Sequence, residues 1–335
     1  MKKEALFYEK TLHGVQCHIC PKECVILEGK SGYCRSRVNH KGILYTIAYG
    51  NPCAVDVDPV EKKPLFHFLP ASKCLSIATA GCNLACLNCQ NSEISQKSPT
   101  ETENIDLSPE KVVSYCRQAE CSSIAYTYTE PITYYEYTYD TSVIAHKQGI
   151  RNIMVSAGYI NQEPLRKLCK VIDAANIDLK SFSDEIYKKL NGGKLQPVLN
   201  TLKTLKDEGV WLEITNLVIP SWNDDLDMIK RMCHWLYENG FENTPLHFSR
   251  FFPMYKLTQL PPTPINVLKN AREIAIQEGL KYVYAGNVPE LDMENTICPK
   301  CHKEVIKRRG YRILENHITD GKCEFCGENI AGVWK

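Results

Sequence analysis

The residues best suited to chemistry are three cysteines on one short loop. They form the segment Cys82-Asn-Leu-Ala-Cys86-Leu-Asn-Cys89, which follows an apolar stretch and Ala80-Gly81. Thiolates are the ligands that iron–sulfur clusters prefer, and three of them on one loop hold three corners of a [4Fe–4S] cube. The fourth iron then stays open for a substrate or cofactor. A zinc ion with a fourth ligand from elsewhere, or cysteines without a metal, are the alternatives.

Four cysteines near the N-terminus also have the spacing of metal ligands: Cys17, Cys20, Cys24 and Cys34. Four cysteine ligands close the coordination of a structural zinc ion, and an auxiliary iron–sulfur cluster uses the same residue type. The spacing leaves zinc, a second cluster and no stable metal open.

Two Cys-x2-Cys pairs lie near the C-terminus, 21 residues apart: Cys298, Cys301, Cys323 and Cys326. This double knuckle is typical of a zinc ribbon, although a rubredoxin-type iron takes the same four ligands. The ribbon is either a structural cap or a module that docks a substrate or partner.

Composition narrows the class of protein. The chain has 335 residues and 17 cysteines, an odd number that lies largely in clusters and so indicates metal ligation in a reducing compartment. The formal net charge of +1 argues against binding to nucleic acids or acidic membranes. The N-terminus lacks the apolar stretch of a signal peptide, and no run approaches the roughly 20 apolar residues that span a bilayer. We therefore expect a cytoplasmic protein without a membrane partner.

Alternating strand-like and helix-like segments must position these residues. Apolar strand-like stretches occur at 75–80, 123–129, 152–156, 175–180, 210–219, 245–252 and 281–285. Helical patterns lie between them, and Ser108-Pro109-Glu110 has the N-cap and first-turn residues of a helix start. Such alternation predicts parallel βαβ units, whose reactive groups gather at the carboxyl ends of the strands. The expected fold is α/β, a partial (βα)6 TIM-like barrel, with an open doubly wound sheet as the alternative.

Changes of pattern divide the chain into three predicted parts. A cysteine-rich and irregular segment covers 1–72, the partial barrel covers 73–289, and the zinc-ribbon module covers 290–335.

The cysteine loop at the end of the first barrel strand resembles the radical S-adenosylmethionine (radical SAM) superfamily. This resemblance implies that the open iron binds the amino and carboxylate groups of S-adenosylmethionine. Reductive cleavage then gives methionine and a 5′-deoxyadenosyl radical. Other strand-end segments resemble pyruvate formate-lyase activating enzymes, and they supply the cofactor-binding candidates Thr129, Glu130, Ser156, Asp178 and Lys180. Asn88 stands where the superfamily often has an aromatic residue near the adenine.

The flanking segments narrow the resemblance further. The N-terminal cysteines, the segments 58–67 and 286–289, and the terminal cysteine pairs resemble the radical enzyme of the AmmeMemoRadiSam system. This resemblance covers essentially the whole chain. It implies partner proteins from the same gene system but supplies no substrate.

Two strand-end features allow two interpretations each. Asp178 and Lys180 lie two residues apart on one face of a predicted strand, so they form a structural ion pair or contact the ribose or carboxylate of the cofactor. His247 lies in the sixth predicted strand. It is the candidate catalytic residue, or a core histidine with satisfied hydrogen bonds.

The resemblance implies an oxidoreductase that cleaves S-adenosylmethionine and abstracts hydrogen from an unidentified substrate. A donor such as ferredoxin or flavodoxin would supply the electron. The substrate is a small molecule inside the barrel or, as for activating enzymes, a glycine of a partner protein. The competing class is a multi-knuckle metal protein that binds RNA or DNA, which the net charge and the strand-end polar residues disfavour.

Overall fold

The computed structural model describes residues 2–288 and 292–335, and its N-terminal part consists of short strands. These are β1 Lys3–Glu4, β2 Tyr8–Thr11, β3 Gly14–Cys17, β4 Val25–Ile26, β5 Arg37–His40 and β6 Ile43–Thr46. Strands β1, β6 and β5 form one antiparallel sheet, and β2, β3 and β4 form another. The sequence predicted an irregular chain here, because strands of two to four residues are too short to show a clear alternation.

The centre of the molecule is an eight-stranded sheet. Its strands are β7 Ala54–Pro59, β8 Lys73–Ala78, β9 Ser123–Tyr126, β10 Arg151–Ser156, β11 Ala174–Asp178, β12 Trp211–Val218, β13 Leu246–Arg250 and β14 Val283–Gly286. They are ordered from β7 to β14 across the sheet, with β8 to β14 parallel and β7 antiparallel to β8. All seven predicted strands are present, and the α/β class is confirmed.

Helices connect the parallel strands. They are α1 Ser92–Ser95, α2 Pro109–Gln118, α3 Tyr135–Lys147, α4 Gln162–Cys169, α5 Asp184–Ile186, α6 Leu195–Asp207, α7 Leu226–Glu238 and α8 Ile265–Gln277. Short 3-10 turns lie at Val60–Lys62 and Pro131–Tyr134, and a π-helical turn lies at Tyr187–Asn191. As predicted, Ser108 caps α2 by accepting a hydrogen bond from the Lys111 N–H. None of the described helices has the length and apolar character needed to cross a bilayer.

The sheet wraps around one cavity of about 570 Å³. The cavity touches Cys82 after β8, Ser156 of β10, Asp178 of β11, His247 of β13 and Tyr284 of β14. Elements near both edges of the sheet, the loop after β8 and strand β14, thus contribute to one cavity. A flat sheet could not do this, so the strands form the predicted partial barrel. The cavity lies where the fold places reactive groups, toward the carboxyl ends of the strands.

The C-terminal part of the chain forms the predicted ribbon. Its strands are β15 Thr296–Ile297, β16 Glu304–Arg309, β17 Arg312–Asn316, β18 Ile318–Thr319 and β19 Lys322–Cys323. The first three form one antiparallel sheet and the last two form a hairpin. The predicted boundary at 289/290 lies outside the described residues. The predicted boundary at 72/73 falls between β7 and β8, which pair along their whole length.

Arg308 of β16 joins the ribbon to the barrel. Its guanidinium is buried, donates to the Phe66 carbonyl at 2.8 Å and to Thr296 Oγ1 at 2.7 Å, and lies 4.4 Å from the centre of the Phe66 ring. Phe66 belongs to the segment 60–68, which lines part of the barrel cavity. A backbone bridge between Phe68 and Val333 ties this segment to the end of the chain as well. The ribbon therefore packs directly against the barrel.

We expect Arg308→Met to lower the free energy of unfolding by about 2–4 kcal/mol, because the Phe66 carbonyl and Thr296 would lose their buried donor. The neighbouring Arg309→Met is the matched control, since Arg309 is exposed, and it should change stability by less than about 0.5 kcal/mol. Urea unfolding of the two variants measures the difference. Equal stabilities would show that Arg308 does not hold the ribbon in place.

Candidate active site and metal sites

The loop with Cys82, Cys86 and Cys89 leaves β8 and forms one wall of the cavity. The π-helical turn at Tyr187–Asn191 holds it in place, because the Ala85 N–H donates to the Asn191 carbonyl at 2.9 Å. The Leu87 N–H donates to the Leu190 carbonyl at the same distance. The three thiols thereby face a common space.

Each of the three sulfur atoms has a polar neighbour. The Leu84 N–H donates to Cys82 Sγ at 3.4 Å, Asn191 Nδ2 donates to Cys86 Sγ at 3.2 Å, and Ser95 Oγ lies 3.1 Å from Cys89 Sγ. Burial raises the pKa of the Cys82 and Cys86 thiols, so a bound cation is needed to keep them as thiolates. Hydrogen bonds to thiolate sulfur are characteristic of iron–sulfur sites. The donor set fits a [4Fe–4S] cluster.

Glu130 anchors the wall formed by the ends of β9 and β10. Its carboxylate is buried and accepts hydrogen bonds from Ser156 Oγ at 2.6 Å and from the Ala157 N–H at 2.9 Å. Burial raises the pKa of Glu130 although these donors favour the charged form. Its carbonyl accepts from Thr133, whereas that of Thr129 accepts no hydrogen bond within the described residues. Of the two cofactor-binding candidates in this turn, Thr129 is therefore the one whose main-chain carbonyl remains available.

Asp178 is the last residue of β11 and Lys180 follows the strand, and the two form an ion pair with an Nζ–Oδ2 distance of 2.8 Å. Burial opposes the charge on Lys180, but Asp178 and the nearby Cys86 outweigh it and raise the pKa of the ammonium. Both side chains line the cavity. Asp178 and Lys180 therefore form the predicted ion pair and also lie where a bound cofactor could contact them.

Asn88 also faces the cavity. Its Oδ1 atom is buried and has no hydrogen-bond partner among the residues that the structure describes. An unpaired buried acceptor is costly, so this atom fits a ligand that carries an N–H group. The polar side chain therefore provides an acceptor where the superfamily often has an aromatic ring.

A cluster around Asp58 was not identified from the sequence. The buried Asp58 carboxylate accepts from Lys62 Nζ at 2.7 Å, Lys63 Nζ at 2.6 Å, Ser76 Oγ at 2.8 Å and the Tyr128 hydroxyl. Burial favours the protonated acid, but these donors prevail and lower its pKa. Tyr128 has a φ of 62°, an uncommon value for a bulky residue. Tyr128 and both lysines line the cavity, and the charge pattern Asp-Pro-Val-Glu-Lys-Lys was the available signal.

His247 lines the cavity and is hydrogen-bonded to Glu213. Its Nε2 donates to the Glu213 carboxylate at 2.7 Å, and its ring stacks on Tyr284 with centroids 5.1 Å apart. Both the catalytic and the core interpretation are compatible with this position, since the side chain lines the cavity and has a satisfied hydrogen bond. Glu213 was not identified as a site residue from the sequence. A lone carboxylate in an apolar strand could have indicated it, because charged side chains are rarely buried without a partner.

The structure brings the predicted cavity residues together and places each of the other two cysteine groups in a site of its own. One cavity is lined by Cys82, Cys86, Cys89, Asn88, Thr129, Glu130, Ser156, Asp178, Lys180 and His247. The four N-terminal cysteines line a separate small pocket. The four ribbon cysteines form a third group.

The ribbon cysteines have the spacing of ligands to a single ion. The four sulfur atoms lie within 4.8 Å of one another, with Cys298–Cys326 at 3.7 Å and Cys301–Cys323 at 3.8 Å. Zinc–sulfur bonds of about 2.3 Å in a tetrahedron place sulfur atoms about 3.8 Å apart. The geometry fits a four-cysteine zinc site.

Comparisons with known proteins agree with this geometry. The model of the Radical SAM superfamily matches residues 76–236. An uncharacterized protein of Methanocaldococcus jannaschii is 48% identical over 331 residues, which cover 98% of each chain. Pyruvate formate-lyase 1-activating enzyme of Escherichia coli K12 is 25% identical over 218 residues, 61% of this chain and 89% of that enzyme. A solved radical SAM methyltransferase from Sphaerobacter thermophilus has a similar fold, with a TM-score of 0.51 at 12% identity over 64% of this chain and 66% of that one.

We expect Cys323→Ser to remove about one zinc ion per chain, because metal binding at a four-cysteine site is part of the folding free energy. A loss of about 3 kcal/mol would lower the midpoint of thermal unfolding by roughly 6–12 °C. Cys53→Ser is the control, since Cys53 is half-buried and belongs to none of the three cysteine groups. Elemental analysis and thermal unfolding provide the readouts. Full zinc content in Cys323→Ser would contradict the assignment.

Proposed function

This chain belongs to the radical SAM superfamily, and we propose that its cavity cleaves S-adenosylmethionine reductively and abstracts hydrogen from a substrate bound beside the cofactor. The enzyme would thus be an oxidoreductase. One observation carries the proposal: three cysteines and the polar residues of several strand ends line the same cavity of about 570 Å³. Such convergence is what a cluster and its cofactor need in order to meet a substrate.

Cys82, Cys86 and Cys89 would ligate the cluster. When bound, a [4Fe–4S] cluster supplies the electron that cleaves S-adenosylmethionine into methionine and a 5′-deoxyadenosyl radical. The hydrogen bond from Asn191 to Cys86 and the main-chain contacts of the π-helical turn keep the loop in one position. An external one-electron donor, such as ferredoxin or flavodoxin, would provide the reducing equivalent.

Three groups would orient the cofactor. The Thr129 carbonyl accepts from the amino group of the methionine moiety, and the Lys180 ammonium pairs with its carboxylate. Asn88 Oδ1, buried and unpaired among the described residues, accepts from the adenine amine. Glu130 acts indirectly, because its bonds to Ser156 and Ala157 fix the end of β10.

The part of the cavity beside His247 and Phe66 would receive the substrate. Lys62 and Lys63 line the same cavity. The segment 60–68 covers the inner face of the sheet here, since the Phe66 N–H donates to Glu213 at 2.9 Å and Asn176 donates to the Pro64 carbonyl at 2.8 Å. Because the chain itself occupies this face, the arrangement favours a small molecule over a segment of a folded partner.

Activation of a partner protein is the second candidate function. The 25% identity to pyruvate formate-lyase 1-activating enzyme favours it, and the resemblance to the AmmeMemoRadiSam enzyme points to partners from one gene system. A deuterated cell extract, split into small-molecule and protein fractions, separates the two functions. Deuterium that enters 5′-deoxyadenosine from the small-molecule fraction supports the first, and deuterium from the protein fraction supports the second.

We expect Cys86→Ala to lose the cavity cluster and at least about 100-fold of the 5′-deoxyadenosine released with dithionite, because two cysteines cannot supply the three ligands. Cys53→Ala, outside the cavity, should keep both properties. Anaerobic iron analysis and chromatography of the nucleoside are the measurements. Release from Cys86→Ala at the wild-type level would refute the cluster assignment.

We expect Lys180→Ala to raise the Kd of S-adenosylmethionine by roughly tenfold to a hundredfold, since a charge-assisted hydrogen bond is worth about 1.5–3 kcal/mol. The visible absorbance of the cluster should persist. Lys189→Ala is the control, because Lys189 is exposed and pairs with Glu185. An unchanged Kd in calorimetry would mean that Lys180 only pairs with Asp178.

A further inference from the structure

The N-terminal cysteines surround a pocket that the proposed function does not use. Cys17, Cys20, Cys24 and Cys34 line it, together with Ile19, Ile26, Tyr33 and Asn83. The chain brings the cysteines there by folding back on itself, since β3 pairs with β4 and the Cys17 N–H donates to the Cys24 carbonyl at 3.0 Å. Four thiols around one pocket form a ligand set.

The spacing of these thiols differs from that of the ribbon. The sulfur atoms of the four ribbon cysteines all lie within 4.8 Å of one another. Among residues 2–288 and 292–335, no other group of three or more candidate ligands is as closely spaced. The four N-terminal sulfur atoms do not meet this spacing, and neither do those of Cys82, Cys86 and Cys89. Four thiolates around one zinc ion must approach to about 3.8 Å, whereas thiolates at the corners of an iron–sulfur cube stand further apart. The wide spacing suits a polynuclear cluster.

The surroundings of the sulfur atoms also suit a cluster. The Tyr33 N–H donates to Cys24 Sγ at 3.5 Å, and Ser36 Oγ lies 3.3 Å from Cys34 Sγ. Such donors tune the reduction potential of an iron–sulfur centre.

The buried Arg37 guanidinium lies 3.9 Å from Cys17 Sγ and forms an ion pair with Glu136 at 2.6 Å. The guanidinium thereby supplies a further N–H donor to Cys17 Sγ.

The pocket adjoins the loop of the cavity cysteines. Asn83 lines the pocket, whereas its neighbours Cys82 and Leu84 line the cavity, and consecutive Cα atoms are about 3.8 Å apart. Gly81 has a φ of +108°, and a Cβ atom there would lie 2.5 Å from the Cys34 carbonyl oxygen. Glycine at this position thus allows the two cysteine loops to touch.

We propose that Cys17, Cys20, Cys24 and Cys34 bind a second [4Fe–4S] cluster that delivers electrons to the cavity site. The pocket is accessible from the surface, since Cys24 is half-buried and Tyr33 is 40% exposed. One electron from a reduced flavodoxin reduces the second cluster, which returns to its oxidised state when that electron passes to the cluster of the cavity. The delivery step rests on the proposed function, but the presence of the second cluster does not.

Metal analysis of two variants tests the site. After anaerobic reconstitution, the wild type should hold about eight iron atoms and one zinc ion per chain. The triple variant Cys82→Ala, Cys86→Ala, Cys89→Ala should keep about four iron atoms and one zinc ion, with the absorbance and reduced-state electron paramagnetic resonance (EPR) signal of a [4Fe–4S] cluster. The triple variant leaves the N-terminal sheet intact, so its result does not depend on the folding of a variant in the quartet.

Two outcomes would overturn the second cluster. A triple variant with two zinc ions and no iron would make the quartet a zinc site, and one with a single zinc ion and no iron would leave it without metal. Equal iron in the wild type and the triple variant would instead count against the cavity cluster, so the two failures are distinguishable.

A second variant, Cys20→Ala with Cys24→Ala, tests the delivery of electrons. With dithionite, a small reductant, this variant should still give the EPR signal of one reduced [4Fe–4S] cluster, that of the cavity. Its reduction by flavodoxin should be at least about tenfold slower than that of the wild-type cavity cluster in rapid-freeze EPR. Cys53→Ala should match the wild type with both reductants. An unchanged rate with flavodoxin would overturn the delivery role.

Discussion

A single buried carboxylate, Glu213, organises the inside of the barrel. It accepts hydrogen bonds from the Phe66 and His67 N–H groups at 2.9 and 2.7 Å, from the Trp211 indole at 3.1 Å and from His247 at 2.7 Å. A buried charge without such donors would cost several kcal/mol. These donors outweigh the effect of burial and lower the pKa of Glu213. The segment 60–68 therefore has to lie inside the barrel for the fold to be stable.

The same region ties the ribbon to the barrel through a chain of hydrogen bonds. Arg308 donates to Thr296, which bonds to the Tyr284 hydroxyl, which bonds to His67 Nε2, and His67 Nδ1 donates to the Ala331 carbonyl. Burial lowers the pKa of His67 to about 4, so the ring is neutral and can both donate and accept. The ribbon thus packs against one side of the barrel. The cysteine loop with Cys82, Cys86 and Cys89 still lines the open cavity.

The three cysteine groups differ in how closely their sulfur atoms approach one another. In the ribbon, short knuckles bring sulfur atoms to 3.7–3.8 Å, the edge of a tetrahedron around a single ion. In the cavity loop and the N-terminal pocket, the sulfur atoms are more widely spaced and have nitrogen or hydroxyl neighbours. The difference is set by the backbone around the cysteines, which decides how closely the thiols can approach.

The sequence by itself determined the α/β class, the seven parallel strands and the identity of the cavity cysteines, because strand alternation and ligand spacing are local properties of the chain. The resemblance to the radical SAM superfamily also predicted that Asn88, Thr129, Ser156 and Lys180 share one site, in agreement with parallel strands that end at the same edge. Only the tertiary structure decided which acceptors are already bonded, as in the Glu130 turn, and which charges meet, as around Asp58 and Glu213. Those contacts join residues up to about 150 positions apart, and no local pattern encodes a pairing over that distance. The contact between the two cysteine loops at Gly81 is of the same kind.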